Sequence, residues 1–196
     1  MDFEKIIKGN LEEMQGMLEA FVADPQSVRR INKAARMMVD CFKAGGKLIA
    51  CGNGGSMSDS MHLCEELSGH FREDRPSLPA VAISDPAYLT CAANDYGYER
   101  VFSRFVEGMG RSGDILVAIS TSGRSANVIA AAREARSRGM RIITLTGLAG
   151  TPLGELSDVD ICTPASPWAD RVQELHIKVI HTLIQLVEVG MGYVNN

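Results

Sequence analysis

The feature that most constrains the fold is a series of five short apolar runs, separated by segments with helical periodicity. The runs lie at 47–51, 79–84, 114–120, 141–147 and 158–163, and they are rich in Ile, Val, Leu and Ala. Strands with continuous rather than alternating apolar character are typically buried on both faces. The pattern therefore predicts an α/β protein whose doubly wound, five-stranded parallel sheet has the flavodoxin-like order 2-1-3-4-5.

The helical segments complete this layout. Apolar periodicity and helix-stop glycines place them at about 3–22, 26–44, 56–69, 86–94, 98–109, 125–139, 152–157 and 168–190. We expect a single domain over 1–196, with 1–45 as an N-terminal helical extension and 46–196 as the α/β core. The first two helices precede the first strand, so they could pack on another subunit or cap the same one.

Composition excludes several classes of function. The formal net charge of −4 gives no general attraction to nucleic acid or to an anionic membrane. No apolar stretch approaches the roughly 20 residues that span a bilayer, and the N-terminal residues lack the basic start and apolar core of a signal peptide. Five scattered cysteines without a C-x-x-C pair fit reduced thiols. We therefore expect a cytoplasmic protein without nucleic-acid or membrane partners.

Four hydroxyl residues follow the third apolar run and surround one glycine: Ser120, Thr121, Ser122 and Ser125. In the predicted strand order, this loop faces the glycine-rich loop at 51–56 across the crevice where the winding reverses. Each loop runs directly into a helix, whose N-terminal N–H groups and partial positive charge suit an anion. Because small hydroxyls add neutral donors, the pattern favours a phosphate site.

Helix capping is a simpler interpretation of these hydroxyls, because Ser and Thr are preferred N-caps. Capping accounts for one of them, such as Ser125, rather than for four. The glycine-rich loop is a different motif from the common nucleotide-binding ones. Neither loop has the G-K-[ST] ending of a Walker loop, and the third glycine position of a dinucleotide fingerprint is Met57.

A histidine and a carboxylate share one face of the helix after the glycine-rich loop. His62 and Glu66 are four residues apart, which brings their side chains within about 6 Å. That separation suits one metal ion or one substrate. A surface ion pair is the plain alternative, but the pair lies in the first turns after the loop, close to the predicted crevice. Glu65 lies on another face and is expected in solvent.

The last predicted helix adds polar residues to a broad apolar face. Gln173 and His181 lie within about 80° of one another but about 12 Å apart along the axis, so their spacing alone does not make them a ligand pair. A hydrogen-bonded core histidine is the alternative interpretation of His181. His176 lies on a different face and is expected to be structural or exposed.

Together these residues resemble the phosphoheptose isomerases, a family within the sugar-isomerase (SIS) domain superfamily. The similarity covers nearly the whole chain and includes the stretches 51–56, 61–69, 75–84, 93–98, 113–129, 143–147 and 169–181. Serine-rich phosphate loops specify only the superfamily. The combination of His62, Glu66, Gln173 and His181 is much more specific.

The resemblance implies a role for each matching residue. The sugar phosphate would be held by Ser120, Thr121, Ser122 and Ser125. The catalytic acid/base pair would be Glu66 and His181, and the cofactor would be zinc, with the ligands His62, Glu66, Gln173 and His181. Further substrate contacts would come from Asn53, Gly54, Gly55, Glu66, Asn94, Asp95 and Gln173.

The implied reaction converts sedoheptulose 7-phosphate into D-glycero-D-manno-heptose 7-phosphate, the first step of ADP/GDP-heptose biosynthesis. A proton moves from C1 to C2 through an enediol, so one group must remove a carbon-bound proton and another must manage the oxygen protons. A zinc ion or a neutral donor would stabilise the negative charge on oxygen. The family is typically a homotetramer with active sites at subunit interfaces, which would explain the long terminal helices.

Two positions depart from the family pattern, and three alternatives to the isomerase stay open. Arg124 stands where relatives often have a smaller polar residue, and His70 stands where they often have Arg. A non-catalytic relative that binds the bacterial replication initiator lacks the counterparts of Glu66 and His181, both of which this chain has. A sugar-phosphate sensor would need a DNA-binding domain for which this chain has no room. An isomerase of hexose or pentose phosphates would share the serine loop but not the other matching stretches.

Overall fold

A computed structural model describes residues 1–194 as a five-stranded sheet with helices on both faces. All strand pairs are parallel and the order is β2-β1-β3-β4-β5, so the predicted doubly wound fold is confirmed. The strands are β1 (Leu48–Gly52), β2 (Ala80–Ala82), β3 (Ile115–Ser120), β4 (Arg141–Thr146) and β5 (Val159–Cys162).

The helices follow the predicted order within the described residues. They are α1 (Phe3–Ala23), α2 (Pro25–Lys43), α3 (Gly55–Ser68), α4 (Pro86–Tyr96), α5 (Val101–Met109), α6 (Ala126–Ser137), α7 (Pro152–Glu155) and α8 (Ala169–Met191). The segment predicted as one helix over 98–109 begins instead with a separate 3-10 turn, Tyr98–Arg100. Gly97, with a φ of 83°, ends α4 just before that turn.

The central strands place the carboxyl ends of the sheet at one level. Every residue of β1 and β3 is buried, as their continuous apolar sequence predicts. In the register, Gly52 at the end of β1 lies beside Ile119, and Ser120 at the end of β3 lies beside Thr146 of β4. The loops that follow these three strands therefore open at the same edge of the sheet.

Two apolar clusters fill the space between the sheet and its helices. The first joins the sheet to α2, α3 and α8, and the second joins it to α4, α5, α6 and α7. α2 packs into the first cluster, so it shares the core with the residues after position 45. The division into an extension over 1–45 and a core over 46–196 stays a prediction. Among residues 1–194, none of the helices combines the length and apolar character that a bilayer crossing demands.

The first helix is much less buried than the others. Phe21 is the only residue of α1 that is buried, and large apolar side chains such as Phe3, Ile7 and Leu11 are exposed in the described subunit. An amphipathic helix normally buries its apolar face. The face that α1 leaves open is therefore a surface to account for in any assembly.

Candidate active site

Asn53 of the glycine-rich loop meets the first turn of α6, the helix that follows the serine loop, so the two loops lie side by side as the predicted strand order requires. The side chains of Asn53 and Asn127 exchange two hydrogen bonds of 2.9 Å, one in each direction. The Tyr98 hydroxyl donates a third bond, of 2.8 Å, to Oδ1 of Asn53. These bonds hold the start of α3 against the start of α6, so both helix N-termini point into one crevice.

The hydroxyl groups of the serine loop gather around Ser120. Its Oγ lies 3.1 Å from Oγ of Ser125 and 3.5 Å from Oγ of Ser122, and the backbone N–H of Arg124 donates to Ser122. Ser125 occupies the N-cap position of α6, but its side chain bonds Ser120 instead of capping the helix. Capping therefore does not explain these hydroxyls, which suit an anion at the helix N-terminus.

Two glycines let the surrounding backbone approach this loop closely. Gly123 has a φ of 61°, and a Cβ there would lie 2.2 Å from Oγ1 of Thr151. A Cβ at Gly147 would lie 2.7 Å from Val172 and 2.9 Å from the carbonyl oxygen of Thr121, which already accepts a bond from the Gly147 N–H. The serine loop is thus held against Thr151 at the start of α7 and against Gly147 at the end of β4. Gly147 in turn packs on Val172 of α8.

A cavity of about 250 Å³ adjoins the serine loop. Thr121 and Ser122 line one side, and Pro167 and Ala169 at the start of α8 line another. The side chain of Arg124 is exposed beside the loop. The cavity gives a polar molecule access to the hydroxyl cluster from the N-terminal end of α8.

His62, Glu66 and His181 form a second cluster, in which α3 meets α8. Nε2 of His62 lies 2.7 Å from Nε2 of His181 and 3.8 Å from Oε1 of Glu66. The His62 side chain is 32% exposed and the Glu66 side chain is 17% exposed, so the cluster is open to a ligand. The ring of Phe71 packs against His181 with 5.8 Å between centroids.

The contacts of His62 indicate how its protons are arranged. Nδ1 of His62 lies 2.9 Å from a carboxylate oxygen of Glu65, which can only accept, so Nδ1 carries a proton. Nε2 of a neutral His62 is then the acceptor of a bond from His181. Glu65 is exposed as predicted, but the expectation that it lies on another face is wrong, because residues three apart on a helix are neighbours and its carboxylate meets His62. Burial, followed by the nearby His62, lowers the pKa of His181.

The remaining predicted site residues lie in three places. The amide of Gln173 packs on Gly55, where a Cβ would lie 2.5 Å from its Nε2, so Gln173 contacts the start of α3 rather than the His62 cluster. Gly54 precedes α3 with a φ of 56° and is exposed. Asn94 and Asp95 are exposed in the last turn of α4, bonded to each other, and His70 is exposed beyond α3. The roles assigned to all of these residues stay predictions.

Sequence reasoning missed two residues that shape the loops. Asn127 sits inside the first turn of α6, and Tyr98 follows Gly97 in the 3-10 turn. Both lie within stretches that match the family resemblance, but only the fold shows that they meet Asn53. An Asn two residues past an N-cap position was the available signal, because Asn is uncommon inside helices without a local bond.

The comparison with known proteins agrees with this fold. The sequence matches the model of the SIS domain family over residues 11–147, and the chain is a member of that class. It is 51% identical over 190 residues to the phosphoheptose isomerase of Aeromonas salmonicida, an alignment that covers 97% of this chain and 99% of that protein. The chain belongs, more narrowly, to the phosphoheptose isomerase family.

Two further relatives support this assignment. The phosphoheptose isomerase of Proteus mirabilis is 51% identical, over 96% of this chain and 98% of that protein. The structure of phosphoheptose isomerase GmhA from Neisseria gonorrhoeae superimposes with a TM-score of 0.89 at 36% identity, and the match covers 96% of this chain and 100% of that one. The resemblance that the motifs indicate is therefore confirmed along almost the whole chain.

Proposed function

We propose that the protein is a sedoheptulose 7-phosphate isomerase, which forms D-glycero-D-manno-heptose 7-phosphate through an enediol. The observation that carries the proposal is the meeting of a carboxylate and an imidazole from distant helices. Glu66 of α3 and His181 of α8 both lie against Nε2 of His62. Membership in the phosphoheptose isomerase family identifies the substrate.

The serine loop anchors the substrate by its phosphate. The clustered oxygens of Ser120, Ser122 and Ser125 can donate O–H bonds to the phosphate oxygens, and the N-terminus of α6 adds favourable charge. Such anchoring uses binding energy far from the reacting carbons to orient them. The loop therefore governs substrate affinity more than the proton transfers.

Glu66 and His181 divide the proton transfers of the reaction. One takes the proton from C1 and returns one to C2, while the other moves protons between the two oxygens. The lowered pKa of His181 favours its neutral form, which can donate a proton to one oxygen and accept one from another. A negative enediol oxygen is stabilised by such a neutral donor.

Substitutions at the two clusters test this assignment. Glu66→Gln and His181→Gln should each reduce turnover of sedoheptulose 7-phosphate by at least about 1,000-fold while the circular dichroism spectrum stays unchanged, because each removes an acid/base group. Ser120→Ala should chiefly raise KM, by about 10-fold, since one phosphate donor is lost. Near-normal turnover in either of the first two variants, or an unchanged KM in the third, would contradict these roles.

We further propose that zinc binds at His62, Glu66 and His181, and that Gln173, whose amide packs on Gly55 in this structure, turns toward the cluster as a fourth ligand. Nε2 of His62 lies 2.7 Å from Nε2 of His181 and 3.8 Å from Oε1 of Glu66, and ligand atoms of His62, Glu65 and Glu66 lie within 4.8 Å of one another, so donors of the kind that zinc binds are close together here. When bound, zinc supplies a Lewis acid for the substrate oxygens. Elemental analysis of the purified protein should find about one zinc per chain, and a much lower content in His62→Ala. Equal zinc contents in the two proteins would exclude this site.

The same family assignment supports a homotetramer whose active sites combine neighbouring subunits. The open apolar face of α1 and the partial exposure of His62 both favour a neighbouring subunit at these surfaces. Sedimentation should give about four times the chain mass of 21.2 kDa. Co-expression of a triple Ser120→Ala, Ser122→Ala, Ser125→Ala variant with His181→Gln should restore about a quarter of the sites if each site joins two subunits. No restored activity in the mixed tetramers would place each site within one subunit.

Binding to the replication initiator without catalysis is the second candidate function, and it is not favoured. The relatives from Aeromonas salmonicida and Proteus mirabilis, which are 51% identical over nearly the full chain, are phosphoheptose isomerases, and Glu66 and His181 are both present. Turnover of the heptose phosphate by the purified protein separates the two functions directly. Five free cysteines are consistent with our proposal that the protein acts in the cytoplasm.

A further inference from the structure

A buried ion pair lies beyond the reacting cluster, at the far end of the contact between α3 and α8. Nε of Arg75 donates to Oε1 of Glu188 across 2.9 Å, and each side chain is only 1% exposed. Oε2 of Glu188 has no hydrogen-bond partner among the described residues. The charge of Glu188 is therefore compensated mainly by Arg75, and neither residue takes part in the proton transfers.

The guanidinium of Arg75 also holds the C-terminus of α3. Its Nη2 donates to the carbonyl oxygen of Glu66, and its Nη1 donates to that of Leu67, both across 2.6 Å. The last turn of α3 contains no basic residue of its own, although carbonyl groups at a helix end need donors and favour a cation. Arg75, from the segment after the helix, supplies both.

Glu188 lies on the face of α8 that presents His181. The two residues are seven positions apart, which is almost two helical turns, so their side chains project in nearly the same direction. Gln173 meets Gly55, His181 meets His62, and Glu188 meets the arginine bound to Glu66 and Leu67. The two helices thus run side by side in one direction, with three polar contacts in succession.

We propose that Arg75 and Glu188 are a positioning pair that sets the carboxylate of Glu66 against the imidazole of His181. Arg75 binds the backbone of Glu66 itself, and Glu188 fixes the arginine to the helix that carries His181. A slide or rotation of α3 against α8 would have to break several charge-assisted hydrogen bonds within a buried space. This inference rests on the proposed isomerase function, because it concerns the alignment of that acid/base pair.

The choice of an ion pair at this place fits positioning better than stability. Replacing a buried ion pair by apolar residues of similar size is often neutral or stabilising, whereas removing one partner leaves a buried charge uncompensated. Apolar contacts are non-directional, so they hold two helices together without fixing their register as a forked guanidinium does. Stability and alignment can therefore be separated by experiment.

The double variant Arg75→Met with Glu188→Met makes that separation. We expect its melting temperature to stay near that of the wild type, while kcat for sedoheptulose 7-phosphate falls about 10- to 100-fold, the usual effect of a misplaced catalytic group. KM should change less than about threefold, because the serine loop lies on β3 and α6. Glu188→Gln keeps an oxygen acceptor for Nε of Arg75, so it should retain kcat within about threefold while losing some thermal stability.

Lys47→Met is the matched control. Lys47 pairs with Asp114 at the amino ends of β1 and β3, away from the carboxyl ends where the serine loop lies. It should lower the melting temperature and leave kcat unchanged. A double variant with normal kcat, or one whose kcat falls only in proportion to its folded fraction, would overturn the positioning role. If the wild type itself showed no turnover, the proposed function would fail, and positioning would be judged from crystal structures. Unchanged separation of Glu66 and His181 in the double variant would then overturn it.

Discussion

The most buried histidine of the described chain, His176, contributes to stability only while it is neutral. Its Nε2–H donates to the carbonyl oxygen of Thr146 across 3.3 Å, and its Nδ1 has no partner within residues 1–194. Burial lowers its pKa from 6.5 to about 4. The structural role expected for this histidine is confirmed, since it supports the strand end that leads to Gly147.

Acid should therefore destabilise the protein through His176. Between pH 6.5 and 4 the unfolded state binds the proton that the folded state refuses, so this stabilisation is complete above pH 6.5 and is lost as the pH falls toward 4. Moving from pH 7 to pH 5 should cost about 2 kcal/mol through this group. In His176→Leu, denaturant unfolding at the two pH values should show a correspondingly smaller loss.

Comparing His176→Leu with the wild type removes the contribution of Asp59, whose effect on stability has the opposite pH dependence. Asp59, buried in α3, has a pKa raised by burial to about 6, so its contribution to stability increases as the pH falls. That contribution is common to both proteins and cancels. The exposed His70 provides a control, because His70→Leu should leave the pH dependence as in the wild type. An unaltered pH dependence in His176→Leu would show that this histidine is not the acid-sensitive group.

Which side chains could be predicted from the sequence depends on how local their contacts are. Ser120 and its neighbours were predictable, because the hydroxyls, the glycine and the helix start are adjacent in the chain. The pairing of His62 with His181 required the family resemblance, since helical periodicity leaves His181 equally suited to the core. No local sequence pattern indicated a role for Arg75, because its partners are the backbone of α3 and a glutamate 113 positions away.

Among the loops and helices, the turn between β3 and α6 depends most on a single small residue. Gly123 adopts a left-handed φ of 61° and leaves no room for a Cβ beside Thr151. Gly123→Ala should therefore cost about 1–3 kcal/mol in backbone strain and displace the serine hydroxyls. We expect KM for the sugar phosphate to rise by at least about 10-fold in steady-state assays.

A control for this loop is Gly113→Ala, at the turn before β3. Gly113 also has a positive φ, of 92°, but it lies at the opposite end of the strand and has open space around its Cα. Gly113→Ala should lower stability without raising KM. Equal KM values for Gly123→Ala and the wild type would mean that the loop geometry does not govern phosphate binding.

Periodicity predicted the helices and strands well, because most of them have a continuous apolar face. The errors occur where the backbone conformation of one residue sets the boundary of an element. Gly97, for example, separates α4 from the 3-10 turn. The edge strand β2 is also shorter than its apolar run, since Pro79 has no N–H to donate and only β1 lies beside it. Periodicity carries no information about such single positions.

Within residues 1–194, α1 carries an apolar surface that the core of the subunit does not cover. On α1, Phe3, Ile7 and Leu11 are 66%, 58% and 68% exposed. If this face is an interface of the proposed homotetramer, Leu11→Glu should lower the mass measured by sedimentation equilibrium, because it places a charge in a desolvated contact. Lys5→Gln, which changes the net charge equally on another face of α1, should keep the wild-type mass. A Leu11→Glu protein of wild-type mass would exclude α1 from the interface.

The pairing of α3 with α8 also has a consequence for folding during translation. The chain completes α3 at Ser68 but does not begin α8 until Ala169, so translation at about 5–20 residues per second leaves an interval of roughly 5–20 s between them. The strands β2 to β5 are made during that interval, and the apolar faces of α3 and of the growing sheet that α8 will cover stay exposed until α8 is made. A nascent chain with this layout exposes apolar surface until its last helix emerges. We therefore expect it to bind chaperones that recognise apolar segments.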